Sequence, residues 1–417
     1  MCDTVPGELI VSYHQDDAAA EALVDSIRTE QSRVPHIEFV ETLEQRMERL
    51  EIKLRESLVS KFVRLRVPRG QENFKVNILH FLYRQKVLDA VMDGRLDLGR
   101  HAHILFNSRN QLQVAPNSWL TPSFAFNRSQ HAGYKKLFHW LGPSTSTRKV
   151  LIIDSGLAST SGFVVSDRRN FVDPARPRDI KDDHSLQHGT AIAAIIRDLC
   201  PRAPLVIYKV VDANDRASEW DTLAALAAQN SADVINVSLT FGLKGGTCGA
   251  CGRESHSSRS AVFENLLDQI TASSQAPIVV TAAGNDGASE LTFPARFGSV
   301  VAVESVNQTL DLSDFSNRGT TDHEGNPHDH VFVLPGGELP ARATAPSEWI
   351  GTATSGDKLH GTSFAAAYAS GIIAHLWDEP AHHRKNAAML LAWLGSHADT
   401  SMSHYRQATY GNGLMQV

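Results

Sequence analysis

Four residues of this chain have the types and spacing that serine-based acyl transfer needs. Val150-Leu-Ile-Ile-Asp154-Ser-Gly156 ends an apolar run on a carboxylate. Gln187-His188-Gly-Thr190 puts an imidazole at the start of an apolar helical stretch, Ala191–Ile196. His360-Gly-Thr-Ser363 opens a helix of small residues that runs to Gly371. Pro277-Ile-Val-Val-Thr-Ala-Ala-Gly-Asn285-Asp-Gly287 places an amide after a strand-like run and small residues. Taken singly, each has a plain structural meaning: the Asp a cap or turn, the His a packed helix start, the Ser an N-cap. Taken together they supply a nucleophile (Ser363), a base (His188), an acid to hold that base in one tautomer (Asp154) and a donor for the developing oxyanion (Asn285). Small residues around Ser363 let a peptide backbone approach, and a helix starting there turns N–H groups toward negative charge.

These residues need a frame, and the sequence from Lys149 onward predicts one. Apolar runs at Val150–Ile153, Pro204–Val211, Asp233–Leu239, Pro277–Thr281 and Val300–Val303 alternate with helical patterns. Continuous Val/Ile runs are expected of parallel strands buried on both faces. Ser218-Glu-Trp-Asp opens one helix with a capping-box pattern, and Ser258 to Thr271 forms another. The fold class is therefore α/β with a parallel sheet, whose chemistry collects at the carboxyl ends of the strands.

At this point residues 148–417 resemble the catalytic domain of the subtilisin-like serine proteases, the subtilases. Four blocks match in order: Ile-Asp154-Ser-Gly, His188-Gly-Thr, Ala-Ala-Gly-Asn285 and Gly-Thr-Ser363. Supporting segments are Asp233-Val-Ile-Asn-Val-Ser-Leu239, Phe293-Pro-Ala, Val301-Ala-Val, Asp314-Phe-Ser-Asn-Arg-Gly319 and the stretch from Tyr410 to Val417. The resemblance implies peptide-bond hydrolysis by an Asp154–His188–Ser363 triad, with Asn285 and the Ser363 N–H as oxyanion hole. It implies that a peptide substrate adds as a strand near Ser238-Leu239-Thr240, with Ala282, Ala283 and Gly284 across the first specificity pocket.

The pattern departs from the family at Gln187 and Ala191, where Gly and a second His are usual, at Ala367 for Pro, and at Thr240 for Gly. The stretch from His188 to Pro201 is too short for the family's usual calcium loop, so no cofactor is required on this reading and no calcium site is expected there; scattered oxygen ligands elsewhere leave a weaker site open. Cys248-Gly-Ala-Cys251 lies in a Gly-rich loop; free thiols, a local disulfide and a metal site with His256 all remain open. His328, His330, His382 and His383 read as solvated loop residues. Asp286, beside Asn285, is a candidate to favour a basic substrate side chain, though one acid does not fix specificity.

Residues 1–115 read as a smaller α/β domain of split-βαβ, ferredoxin-like order. Strands are expected at 8–13, His36–Val40, Phe62–Val67, His103–Phe106 and Gln111–Val114. Helices are expected at Asp16–Glu30, Glu41–Val59 and Asn77–Met92. Residues 116–147 read as an irregular linker and 148–417 as the peptidase domain. The order resembles that of subtilase propeptides at the level of fold only. Three roles stay open: an inhibitory or chaperoning prodomain cut off within 115–147, a permanent regulatory domain released by a protein partner, or part of a catalytically silent peptide-binding protein. The complete triad argues against the last.

Length, composition and charge bound the rest. The chain has 417 residues, 42% hydrophobic, with four Cys, which rules out wholesale disorder and a disulfide scaffold. No apolar run reaches the roughly 20 residues that cross a bilayer. The start, Met1-Cys-Asp-Thr, lacks a signal-peptide layout, so a soluble, cytoplasmic protein with no membrane partner is expected. Net charge is −7 over residues 1–50, +11 over 51–150 and −10 over 151–417. Solvated surface and docking of the basic segment on the acidic one both fit; nucleic acid is not an expected partner, because no motif supports it. An intracellular protease needs restraint, and the amino-terminal region is the expected source.

Overall fold

The computed structural model describes residues 4–29, 36–92, 112–122, 125–127, 144–228, 231–241, 260–273, 275–307, 310–336, 339–340, 358–377, 386–402 and 405–415. The chain begins β1 (Thr4–His14), α1 (Ala18–Arg28), β2 (Glu38–Thr42), α2 (Leu43–Leu50), β3 (Ser60–Arg66), α3 (Glu72–Met92) and β4 (Gln113–Pro122). It continues through β5 (Ala125–Asn127), β6 (Val150–Asp154), β7 (Val165–Asn170), α4 (His188–Leu199), β8 (Leu205–Lys209), β9 (Ala217–Ser218), α5 (Glu219–Ala227), β10 (Val234–Val237), β11 (Leu239–Phe241) and α6 (Ala261–Thr271). The last elements are β12 (Ile278–Ala282), β13 (Val301–Val306), β14 (Val331–Pro335), β15 (Leu339–Pro340), β16 (Lys358–His360), α7 (Thr362–Trp377), α8 (Ala387–His397) and α9 (Gln407–Tyr410).

The chain divides into two compact units, and the division is not a single cut. The first holds Met1–Trp119 together with Ser218–Gln229 and Gly245–Ile270; the second holds the rest.

In the first unit the strands lie in the order β4-β1-β3-β2, each neighbour antiparallel. That is the split-βαβ arrangement expected from the sequence. Alternation along the strands turns Leu9, Val11, Tyr13, Val63 and Leu65 into one core with Leu23, Val24 and Ile27 of α1 and Leu79, Tyr83 and Val87 of α3. The helix expected over Glu41–Val59 is cut short. A Thr42–Gln45 capping box starts α2, but Glu51 turns left-handed (φ +55°) and ends it after Leu50. Beyond that turn the chain extends, and Leu54 forms a bridge with Ala228 while the Arg55 N–H donates to Ala227 O at 2.9 Å. Bonds to residues distant in sequence outweighed the helical pattern. The strand expected at His103–Phe106 lies outside the described residues.

Two helices from later in the chain complete this unit. Arg46 pairs with Asp221 at 2.5 Å, the Trp220 indole donates to Glu41 at 3.0 Å, and Gln269 accepts from the Val59 and Ser60 N–H groups. Glu219 is fully buried and accepts from the Ser118 N–H (3.2 Å) and the Ser260 hydroxyl. Burial pushes its carboxyl up to about 7. The folded chain thus keeps a proton that the unfolded chain releases in the ordinary carboxyl range. This contribution to stability is complete below that range and is lost as pH rises to about 7. Glu219→Gln is expected to remove this slope, worth at most about 3 kcal/mol. Denaturant unfolding of both proteins at pH 5 and pH 8 checks it; an equal stability difference at the two pH values counts against it.

In the second unit seven parallel strands run in the order β14-β13-β12-β10-β6-β8-β7. β6, β8, β10 and β12 are buried along their whole length, as their unbroken Val/Ile runs require. Small residues let α4 and α7 pack tightly: Ala191, Ala193, Ala194, Ala365, Ala366, Ala367 and Ala369 all lie in the main core. β7 and β14 were not among the expected strands. β7, Val-Ser-Asp-Arg-Arg-Asn, sits at a sheet edge, where polar residues are tolerated and the apolar signal fades.

Two strands also form inside the stretch read as a linker. Leu120–Pro122 of β4 pairs antiparallel with β11, and β5 pairs antiparallel with β16. Their order comes from partners more than a hundred residues away, which local pattern does not register. Among the described residues, no helix is long and apolar enough to cross a membrane.

Candidate active site

Register puts the site together. Val237 of β10 stands level with Ile153 of β6 on one side and Thr281 of β12 on the other. Asp154, Ser238 and Ala282 are the next residues of their strands, so the three fall in a row at the carboxyl edge of the sheet. α4 begins at His188 and α7 at Thr362, and the Phe364 ring lies 5.8 Å from the His188 ring.

Asp154 and His188 are each 1% exposed, and Asp154 Oδ1 lies 2.8 Å from His188 Nδ1. The same oxygen accepts from the Ser155 N–H at 2.7 Å. An ionised Asp154 accepts only, so Nδ1 carries a proton and Nε2 is left as the basic nitrogen. The contact is possible because residue 189 is Gly: a Cβ there would lie 2.6 Å from Gly156 O. The Gly189 N–H donates to the Ser155 hydroxyl at 2.8 Å, tying the helix start to the strand end. Gln187, where the family usually has Gly, adopts φ +50° and bears the left-handed strain that Gly would avoid.

Further polar residues brace this corner, and the sequence reading had not singled them out. Buried Asp182 accepts from the Thr190 N–H (3.0 Å) and hydroxyl (2.7 Å), and burial raises its pKa. His184 accepts the Leu186 N–H on Nδ1 at 3.0 Å, its ring 5.7 Å from that of His188. Burial, followed by the charge of His188, holds His184 down at about 4, so it stays neutral. Lys209 is buried and donates to Ser155 O and Lys181 O. The cluster Asp182-Asp183-His184 just ahead of His188 was the available sequence signal.

On the other side, Asn285 is held in one orientation. Its Oδ1 accepts from the Thr362 N–H (2.9 Å) and hydroxyl (3.0 Å), which fixes Nδ2 as the opposite end of the amide. Nδ2 is buried and has no hydrogen-bond partner among the described residues. Gly284 adopts φ +111°, and a Cβ there would lie 2.6 Å from Asn317 Nδ2. Asn317 in turn accepts from the Asp286 and Ala288 N–H groups, and the Thr292 hydroxyl donates to Ala283 O. Asp286 itself is exposed.

Ser363 is fully buried, and its hydroxyl donates to Ser238 O at 3.1 Å. A hydroxyl has one proton to donate. Ser238 Oγ donates to Asn236 Oδ1, just ahead of β11. The chain's own residues meet the rest of that strand: Pro122 opposite Leu239, Thr121 opposite Thr240 and Leu120 opposite Phe241.

One expectation is corrected here. His328 is not solvated: it is 5% exposed, with Nε2 3.0 Å from Ala295 O, and burial lowers its pKa, as it also does for His330. His382, His383, Cys248, Cys251 and His256 lie outside the described residues. Among the described residues, no group of three or more His, Cys, Asp or Glu is placed to hold a metal ion.

A family model described as the Subtilase family matches residues 97–413. The chain is 26% identical over 291 residues to subtilisin BL of Lederbergia lenta, spanning 67% of this chain and 92% of that one. It is 29% identical over 307 residues to subtilisin E of Bacillus subtilis (strain 168), spanning 67% of each. The crystal structure of a lanthipeptide protease superposes with a TM-score of 0.51 at 22% identity, covering 67% of this chain and 90% of the other. At that identity the likeness is one of fold.

Proposed function

Because the chain belongs to the subtilase family of serine proteases, we propose that it is an endopeptidase of the Asp154–His188–Ser363 type whose amino-terminal region restrains it. Ser363 Oγ attacks the scissile carbonyl carbon while His188 Nε2 takes the hydroxyl proton. The tetrahedral oxyanion lies between the Asn285 side-chain amide and the Ser363 N–H. As the C–N bond breaks, the imidazolium gives its proton to the leaving amine. Water then attacks the acyl-enzyme, giving a carboxylate and regenerating Ser363. Asp154 keeps the imidazole in the required tautomer throughout. Ser238, Leu239 and Thr240 take the substrate backbone as an added strand, and Ala282, Ala283 and Gly284 face it across the first pocket.

The observation that carries this reading is the Asn285 amide. Its acceptor end is committed to Thr362, and its donor end is buried with no acceptor among the described residues. An unsatisfied buried donor is costly, and a developing oxyanion satisfies it. Asn285→Ala is therefore expected to lower kcat by about 10²- to 10³-fold with little change in KM, read from peptide hydrolysis. A comparable rise in KM with kcat intact would assign Asn285 to substrate binding instead.

Restraint is supported by the pairing of Leu120–Pro122 with the cleft strand and of Ala125–Asn127 with β16, just ahead of Ser363. The chain's own backbone thus follows the path of a substrate. Only two residues, Ser123 and Phe124, separate the pairings, and they lie outside the described residues. We expect self-cleavage at a bond between Pro122 and Ala125. Intact mass of the purified wild type should show two fragments meeting in that interval, and Ser363→Ala should stay at full length. If wild type stays whole yet cuts a peptide once a partner protein is added, the amino-terminal region is instead a permanent regulator.

A further inference from the structure

We infer that Asn317 is the positioning residue of the oxyanion hole: it holds the backbone on both sides of Asn285 and acts on the reaction only through that residue. The inference rests on the protease reading above and adds to it a residue that needs no contact with substrate.

Asn285 stands in a loop. β12 ends at Ala282, and residues 283–288 follow outside helix and strand. Thr362 holds the acceptor end of the Asn285 side chain, but a side chain is only as fixed as the backbone that carries it. An oxyanion donor has to be kept within about 0.5 Å of its working position. Asn317 supplies that hold with three hydrogen bonds. Its N–H donates to Gly284 O at 3.0 Å, and its Oδ1 accepts from the Asp286 N–H at 2.8 Å and the Ala288 N–H at 3.1 Å. The residues directly before and after Asn285 are thus tied to one residue. The two N–H donors also fix which end of the Asn317 amide is the oxygen, and they use both of its lone pairs.

Asn317 is itself anchored to the sheet. The Ser316 hydroxyl accepts from the Ser305 N–H at 2.9 Å and donates to Asn317 O at 2.9 Å. The Gly319 N–H donates to Glu304 at 2.8 Å. Glu304 and Ser305 belong to β13, which is buried along its whole length. Backbone bonds join the same segment to the loop: the Gly287 N–H donates to Phe315 O at 2.8 Å and the Arg318 N–H to Ala288 O at 3.1 Å. Rigidity of the sheet therefore reaches Asn285 through Asn317, which is 1% exposed. A variant without Oδ1 leaves two loop N–H groups without their acceptor.

A double-mutant cycle in the full-length chain tests this. Asn317→Leu keeps the bulk of the side chain and removes its acceptor. It is expected to lower kcat for peptide hydrolysis by about 10- to 100-fold, with KM changed less than about twofold. In an Asn285→Ala background the same substitution is expected to change kcat by less than about twofold, because the donor it positions is gone. Equal losses in the two backgrounds overturn the inference and make Asn317 a general support of the fold. A rise in KM with kcat intact, or no loss at all, overturns it too. If Asn317→Leu does not fold, Asn317→Ser, shorter and still polar, enters the same cycle and is read in the same way. The first arm of the cycle checks the premise. If Asn285→Ala leaves kcat unchanged, Asn285 is not the oxyanion donor and the inference falls with that assignment. If the wild type hydrolyses no peptide and Ser363 takes up no fluorophosphonate probe, the protease reading itself fails.

Discussion

A Ser363→Ala chain is expected to lose about 10⁶-fold in kcat on any peptide substrate, and to take up no fluorophosphonate probe. The proposed nucleophile is the Ser363 hydroxyl: Ser363 is the second residue of α7, and Thr362 before it bonds Asn285 Oδ1. His188→Ala should cost nearly as much, because a serine hydroxyl at its ordinary pKa attacks poorly without a base. The two losses should not add. The double variant is expected to be no slower than either single one, since each already breaks the same nucleophile–base unit. Residual hydrolysis then comes from binding and oxyanion stabilisation alone. Steady-state hydrolysis of one peptide by the three variants measures all of this. A double variant slower than the single variants by the product of their losses would show that Ser363 and His188 act independently, contrary to the mechanism.

Asp154→Asn is expected to lower kcat by about 10⁴-fold while leaving the fold intact. Asp154 is buried and lies 2.8 Å from His188 Nδ1, with the Ser155 N–H also directed at it. An asparagine can keep the Ser155 bond with its oxygen, but then presents an NH₂ to Nδ1. The imidazole would answer by moving its proton to Nε2, the nitrogen that must be basic toward Ser363. The loss should therefore appear in kcat, with KM and thermal stability close to wild type. A variant that is unfolded under conditions where the wild type is folded, or that keeps more than a tenth of the activity, would contradict this account of the pair.

The comparison between sequence and structure is sharpest at particular residues. The parallel strands were legible because strands buried on both faces must be apolar throughout, and Val150–Ile153 and Pro277–Thr281 have no other plausible use. β7 was not, because an edge strand with one wet face can be written as Val-Ser-Asp-Arg-Arg-Asn. The helix pattern from Glu41 to Val59 was real in its spacing, yet α2 stops at Leu50. Leu54 and Arg55 bond to residues 226–228 instead, and nothing within ten residues of them signals that partner. His328 looked solvated because its neighbours are polar, but its ring is enclosed against Ala295.

What the sequence carried by itself was the set of candidates, Asp154, His188, Asn285 and Ser363, as the residue types acyl transfer needs, and their places near strand ends and helix starts. Those identities are local, since a functional group and its immediate backbone frame are written in a few consecutive residues. What only the tertiary structure decided was partnership. It joined α5 and α6 to the amino-terminal strands in one compact unit. It turned the Asn285 amide so that its donor end is left over, through bonds to Thr362. It laid residues 120–122 and 125–127 along two separate strand edges flanking Ser363. The physical reason is that each partnership is made between residues far apart in sequence, and for the strands it is made by backbone alone. Backbone hydrogen bonds between strands carry almost no side-chain signature, and the strand residues paired here lie more than one hundred to more than two hundred positions apart.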